Sequence, residues 1–371
     1  MEEILAYLQL INTESIGPVT FDKLLKRYGT VQDALQAISS KYSIFTQDMA
    51  LRELEYANNS EISILIKTDE RYPKKLRLLE DAPPVLYAKG NLELLNHEAT
   101  IAIVGTRNAT INGRKITSRI AHDLTNMNVL VVSGMAKGID TAAHKGAMYA
   151  QNQKGPTIAV LGTGIDKIYP KENEELYQQI ANQGLLVSEF PIGAIAQTGN
   201  FPRRNRIVSG LSSGVLVVEA TAKSGSLITA NAAISQDKAV FAIPGSPTEA
   251  RASGPNLLIQ RGAKLVENAN DILKSIKNIN SSPQLLPINC KSGDLFLKQL
   301  DISTKNVDIS TINILKYLTL EGTDIDEIIR LSKLNAATVS MQLLDLEMAD
   351  KVVRMPGNKI ALNAKKVKVK K

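Results

Sequence analysis

TIAIVGTRNATINGRKITSRIAHDLTNMNVLVVSGMAKGIDTAAH, residues 100–144, decides the fold. It opens on an aliphatic, β-branched run (100–104) and passes through the helical pattern NGRKITSRIAHDLTNMN. It then returns to a second apolar run, VLVV (129–132), before TAAHKGAMYAQ starts another helical pattern. Apolar runs without polar alternation suit strands buried on both faces. The same unit recurs downstream, with TIAVL (157–161), LLVS (185–188), GVLVV (214–218) and AVFAI (239–243). Strand-helix-strand alternation at about 30-residue spacing predicts a Rossmann-like, doubly wound, mostly parallel α/β sheet with right-handed crossovers.

Outward from this core (98–277) the patterns change. Residues 1–60 read as a helical domain of helix-hairpin-helix or SAM-like type, in which INTESIGPVTFDKLLKRYGTVQDAL places a Gly17-Pro18 turn between helical stretches. A helix-hairpin-helix of this kind can offer turn amides to a phosphate, but its acidic balance favours a structural or interaction role. Residues 61–97 read as a connector, with Pro83-Pro84 leading into an extended VLYAKG. The polar, turn-rich segment 278–306 reads as a linker, and 307–362 as a winged-helix-like module of three helical patterns followed by VVRMPGNKIAL. A groove-reading helix needs Arg, Lys, Asn or Gln along its length. The third helical pattern instead carries Asp345, Glu347 and Asp350, with only Asn335 and Gln342 as base-edge donors, so the wing is expected to contact protein.

The chain has 371 residues, 44% of them apolar and 22% charged, which is ordinary for a globular protein of two or three domains. No apolar run approaches the roughly 18–20 residues of a membrane span. Cys290 is the sole cysteine, so no internal disulfide is possible, and MEEILAYLQL is acidic where a secretory signal would be basic. The expected location is the cytoplasm. The net charge of +7 divides unevenly: −3 for residues 1–97, +6 for 98–277 and +4 for 278–371, the last owed to the tail KKVKVKK (365–371). An anionic partner is therefore expected at the middle segment.

Gly105-Thr106-Arg107 and Gly162-Thr163-Gly164 follow apolar strands, where α/β sheets bind ligands and backbone amides can approach a phosphate. Neither completes a dinucleotide fingerprint, since Lys167 stands where a third glycine would fall, and no GxxxxGK[ST] is present. No cofactor is expected. Asp140 and His144, four apart after Ser133-Gly134-Met135-Ala136-Lys137, read as a helix-stabilising or capping pair, because a metal site would need more ligands than His97, His122 or Cys290 can offer. The most informative run is FPRRNRIVSG (201–210): Arg203, Arg204 and Arg206 crowd a helix start beside Asn205, and no Asp or Glu occurs from Phe190 to Val218. Arginines beside helix N-terminal amides make an anion site. Ser224-Gly225-Ser226 presents hydroxyls at another helix start. With Arg107, Lys137 and Lys171, these groups would line one edge of the sheet as repeated phosphate contacts, suited to a nucleic-acid strand. Aromatic stacking partners are few: Phe190, Phe201 and Tyr169.

SGMAKGIDTAAH (133–144), IAVLGTGIDKIYPKEN (158–173), LLVSEFPIG (185–193), FPRRNRIVSGLS (201–212), VVEATAKSGSLITA (217–230) and FAIPGSPTEARASGPNLLIQRGAKLV (241–266), together with GTR at 105–107, resemble the DNA-processing protein A family, also called Smf. The resemblance implies a non-enzymatic, cytoplasmic protein of natural transformation. Such a protein binds and protects incoming single-stranded DNA, helps load a RecA-type recombinase, and works as a homodimer through its Rossmann-like core. It also implies that Arg107, Lys171, Arg203, Arg204 and Arg206 hold phosphates, with Thr106 in place of the commoner serine. A rival reading is a nucleotide-processing enzyme of the lysine-decarboxylase-like phosphoribohydrolase type, for which Glu219 near Ser224-Gly225-Ser226 speaks and the missing PGGxGTxxE signature speaks against.

Overall fold

A computed structural model describes residues 1–39, 42–150 and 157–281, and in the C-terminal part 317–319, 322–332, 339, 343, 346, 352–355 and 359–362. The chain divides into two units, 1–288 and 289–371.

The first unit begins with four helices, α1 (Glu2–Asn12), α2 (Pro18–Tyr28), α3 (Val31–Ile38) and α4 (Gln47–Asn59). Pro18 sits in the first turn of α2, where its missing N–H costs nothing, and the Thr30 and Thr46 hydroxyls cap α3 and α4. Leu8, Leu10 and Phe21 fill the space between these helices. Residues 61–97, expected as a connector, instead supply β1 (Ser63–Ile66), the short α5 (Lys74–Arg77) and β2 (Val85–Gly90). SILI and VLYA lie buried because they pair with each other and extend the main sheet.

The alternating core follows as β3 (Thr100–Val104), α6 (Ile111–Asn126), β4 (Leu130–Ser133), α7 (Ile139–Met148), β5 (Thr157–Val160), α8 (Glu174–Gln183) and β6 (Leu185–Ser188). It continues with α9 (Asn200–Gly210), β7 (Gly214–Val217), α10 (Ser226–Ser235), β8 (Ala239–Ala242), α11 (Ser253–Gln260), β9 (Lys264–Leu265) and α12 (Ala269–Ser281). Among the described residues, nine strands form one sheet in the order β1-β2-β6-β5-β4-β3-β7-β8-β9. Strands β3 to β9 run parallel, while β1 and β2 are antiparallel additions at one edge.

Alternate residues of each strand serve opposite faces. Ile101 and Ile103 pack with α6, α7 and α12, whereas Ala102 and Val104 face the layer of α9, α10 and α11. Burial of each such isoleucine contributes about 1.5–3 kcal/mol. The order reverses at β3, from which the chain runs first through β4, β5 and β6 and then to β7 on β3's other side. Such a reversal splays the loops at the carboxyl ends and leaves a crevice there.

The helical domain seats on the β1–β2 edge. Glu53 accepts hydrogen bonds from Asn12 Nδ2 (2.8 Å), Tyr87 Oη (2.8 Å) and the Ile192 amide (3.0 Å), and Lys67 pairs with Asp22 at 2.9 Å. In the second unit, β10 (Thr323–Asp324), α13 (Ile325–Ser332), β11 (Val352–Met355) and β12 (Lys359–Leu362) surround a small core with Ile328, Val339, Leu343 and Leu346. Strands β11 and β12 pair antiparallel, and the Pro-Gly-Asn segment expected to turn between them lies outside the described residues. Most of the acidic third helical pattern, the linker from 282 onward and the lysine tail lie outside the described residues.

Candidate nucleic-acid interface

A cleft of about 540 Å³ opens at the carboxyl ends of β3, β4 and β7, at the point where the strand order reverses. Gly105, Thr106 and Arg107 leave β3 on one side of it, and Ser224, Gly225 and Ser226 lead into α10 on the other. Arg204 and Asn205 enter from α9.

Arg204 is 4% exposed, and its Nη1 donates to the carbonyls of Gly134 and Val160 at the ends of β4 and β5. Gly134 leaves room for this group, because a Cβ on it would lie 2.5–2.6 Å from the guanidinium and would force Arg204 to shift. Burial pushes Arg204 down to about 10, against the pull of Asp140, so the group remains charged at neutral pH. Asp140 lines the same cleft, and burial raises its carboxyl to about 6 with Arg204 opposing.

The aromatic side of the cleft is Phe201 and Tyr169, whose ring centroids lie 5.4 Å apart. The Arg107 guanidinium stands 5.1 Å from the Phe201 ring centroid. A Cβ on Gly162 would come 2.8 Å from Phe201, so that glycine makes room for the ring. Fixed positive charge beside exposed aromatic faces matches a ligand with phosphates and stackable bases.

The family model described as DNA recombination-mediator protein A matches residues 63–277. The chain belongs to that family. Models described as a DprA-like N-terminal HHH domain and a DprA winged helix domain match residues 1–55 and 306–358. The Synechocystis protein Smf is 33% identical over 389 residues, covering 95% of this chain and 96% of that protein. DNA processing protein DprA of Streptococcus pneumoniae is 44% identical over 229 residues, covering 62% of this chain and 78% of that protein. The X-ray structure of the same Streptococcus protein superposes with a TM-score of 0.58 at 36% identity, covering 70% of this chain and 98% of that one. A Helicobacter pylori DNA processing protein A structure, described for its single-stranded DNA binding mode, gives a TM-score of 0.53 at 32% identity, covering 59% of this chain and 96% of that one.

In this member of the DNA recombination-mediator protein A family, the expected basic residues divide. Arg107, Arg204, Asn205 and the 224–226 loop share the cleft. Lys137 flanks it beside Arg107 and pairs with Glu172 at 2.5 Å, on the turn that begins with the exposed Lys171. Arg203 is exposed, lies 5.3 Å from the Phe190 ring centroid and borders a different depression, toward the helical domain. Arg206 turns away altogether: it bonds Glu189, 3% exposed, and Asp81 at 3.3 Å, and its own side chain is 14% exposed.

The amides expected to meet phosphate are partly committed. Thr106 N donates to the Glu219 carbonyl (2.6 Å) and Gly164 N to the Ala194 carbonyl (2.8 Å). The Glu219 carboxylate, which a hydrolase would need free, accepts from Thr110 N (2.9 Å) and Thr110 Oγ1 (2.5 Å) at the start of α6.

Asp140 and His144 serve the loop that carries Lys137. His144 Nε2 accepts the Met135 amide (3.3 Å), its Nδ1–H faces Thr157 Oγ1 (2.8 Å), and Asp140 Oδ2 accepts the Ala136 amide (3.3 Å). Because Thr157 Oγ1 itself donates to the Val131 carbonyl, His144 is neutral with its proton on Nδ1. Burial pushes this imidazole down to about 3. Among the described residues no cluster of three or more metal-ligating side chains occurs. Sequence reasoning missed the close approach of Arg204 to Gly134 and the placement of Asp140 inside the cleft. The glycine-rich loop was visible, but nothing local showed which side chain would fill it.

Proposed function

We propose that this chain binds single-stranded DNA across the β3/β4/β7 cleft and acts, without catalysis, as a recombination mediator that hands the strand to a RecA-type recombinase during natural transformation. Phosphates meet Arg107, Arg204 and the 224–226 loop, with Lys137, Lys171 and Arg203 on the approaches, while a base stacks near Phe201 and Tyr169. The observation that carries the reading is the buried, charged Arg204 held at the floor of an open cleft, with Arg107 on the adjacent aromatic face. Family membership and the single-stranded DNA binding of the Helicobacter relative support it. A cytoplasmic location and homodimeric assembly complete the proposal. The nucleotide-hydrolase reading is disfavoured because Glu219 is committed to Thr110.

Titrating oligothymidylate at several salt concentrations tests this directly. A strand held through phosphates loses affinity steeply with salt, by about 0.7 log units per tenfold salt for each contact. Arg107→Ala should weaken binding and flatten that slope by about that amount. Binding indifferent to salt, or unaffected by Arg107→Ala, would rule the reading out.

A further inference from the structure

A second depression lies between α6 and α7 and includes Arg107 and Lys137, the residues that also border the cleft. Its α6 wall is Ile111, Arg114, Lys115 and Ser118, and its α7 wall is Thr141, Ala142, Lys145 and Tyr149. On α6 the spacing is i, i+3, i+4, i+7, and Gly138 with the α7 residues repeats it, so each helix turns one continuous stripe to the groove. The helices are tightly apposed, since a Cβ on Gly146 would lie 2.6 Å from Ser118 Cα. The result is a floor of small side chains under a rim of cations.

Among the described residues five cations line this groove and no acid does, while on their other side Lys145 and Tyr149 border a depression that holds Glu172 and Glu175. Arg114 holds the Ala109 carbonyl (2.7 Å) with one nitrogen, and Lys137 pairs with Glu172. Lys115 and Lys145 are exposed and make no ion pair among the described residues. Two large apolar surfaces stand open beside them, Tyr149 at 72% and Ile111 at 64% exposure. A solvated helix face normally mixes both signs of charge, and exposed tyrosine beside unpaired lysines is the combination that tracks a single strand.

We propose that the α6–α7 groove is a second nucleic-acid track, continuous with the cleft through Arg107 and Lys137, in which Lys115, Lys145 and Arg114 hold phosphates and Tyr149 stacks a base. This rests on the reading of the cleft as a single-stranded DNA site. It extends the strand beyond the residues the family resemblance marks, and it makes binding depend on strand length.

The test is a length series of oligothymidylates, from about 4 to about 20 nucleotides, bound to the full chain and to its Lys115→Ala/Lys145→Ala variant. Both lysines are exposed, so matching thermal melts are expected and show that the variant is folded. Wild type and variant should coincide on the shortest strands, and the variant should fall several-fold behind on the longer ones, with a salt slope shallower by about 1.4. Coincident curves at every length, with the wild type binding well, overturn the second track and leave the cleft standing. A variant equally weakened at every length also overturns it, because the lysines would then belong to the cleft. Failure of the wild type to bind any length overturns both.

Discussion

Arg203, Arg204 and Arg206 show how far three neighbouring side chains of one type can part. Successive helical residues are about 100° apart, so Arg204 leaves α9 on a different side from Arg203 and Arg206, which stand three apart on one face and part only through the partners each side chain reaches. Arg204 goes into the sheet's carboxyl edge, Arg203 to solvent over Phe190, and Arg206 into an ion pair with Glu189 and Asp81. Burial raises the Glu189 carboxyl, and Arg206 first and Arg203 second oppose this. Removing one member of a buried pair strands the other without solvent, at a cost of about 3–5 kcal/mol. Arg206→Ala should therefore lower the thermal midpoint sharply in a melting experiment, whereas Arg203→Ala should change stability by no more than about 0.5 kcal/mol. Loss of DNA binding in Arg206→Ala then reports unfolding, and only the Arg203 result reports contact.

At the scale of elements, the loop from β4 into α7 is held by two buried titratable groups, His144 and Asp140. His144 pins its Met135 amide, and the folded state holds that imidazole at about 3, below its ordinary 6.5. The unfolded chain takes up the proton first, so the stability that His144 contributes is complete above about pH 6.5 and is lost as pH falls toward 3. Asp140 acts in the opposite sense: with its carboxyl raised to about 6 from 3.8, the folded chain binds the extra proton and gains stability as pH falls through that window. The histidine shift is the larger, so acidification should destabilise on balance. His144→Asn should lower the melting temperature at pH 7 and flatten its fall between pH 6.5 and 4. A fall as steep as the wild type's would show that other groups are responsible.

At the scale of the whole molecule, the charge distribution separates the roles of the parts. The net −3 of residues 1–97 includes Glu53, spent on seating the helical domain against Tyr87 and Ile192 rather than on any anion. The +6 of residues 98–277 is displayed around the cleft and the α6–α7 groove. A chain ending at Ile288, the boundary of the first unit, should keep the oligothymidylate affinity and salt slope of the full chain. A large loss would move the DNA site into the second unit or its lysine tail.

The sequence by itself determined the parallel core and the sign of its charge. Strands buried on both faces have to be written as consecutive aliphatic residues, as in TIAIV and VLVV, and a run free of acids from 190 to 218 can only be a positive surface or a positive interior. It did not reveal that SILI and VLYAKG would extend the sheet, because edge pairing depends on a partner strand distant in the chain. Tertiary structure alone decided which arginine is a floor, which a rim and which a structural pair. Those roles depend on what lies across the fold, on the Gly134 and Val160 carbonyls, the Phe190 ring and the Glu189 carboxylate, and no local pattern encodes the distance to any of them.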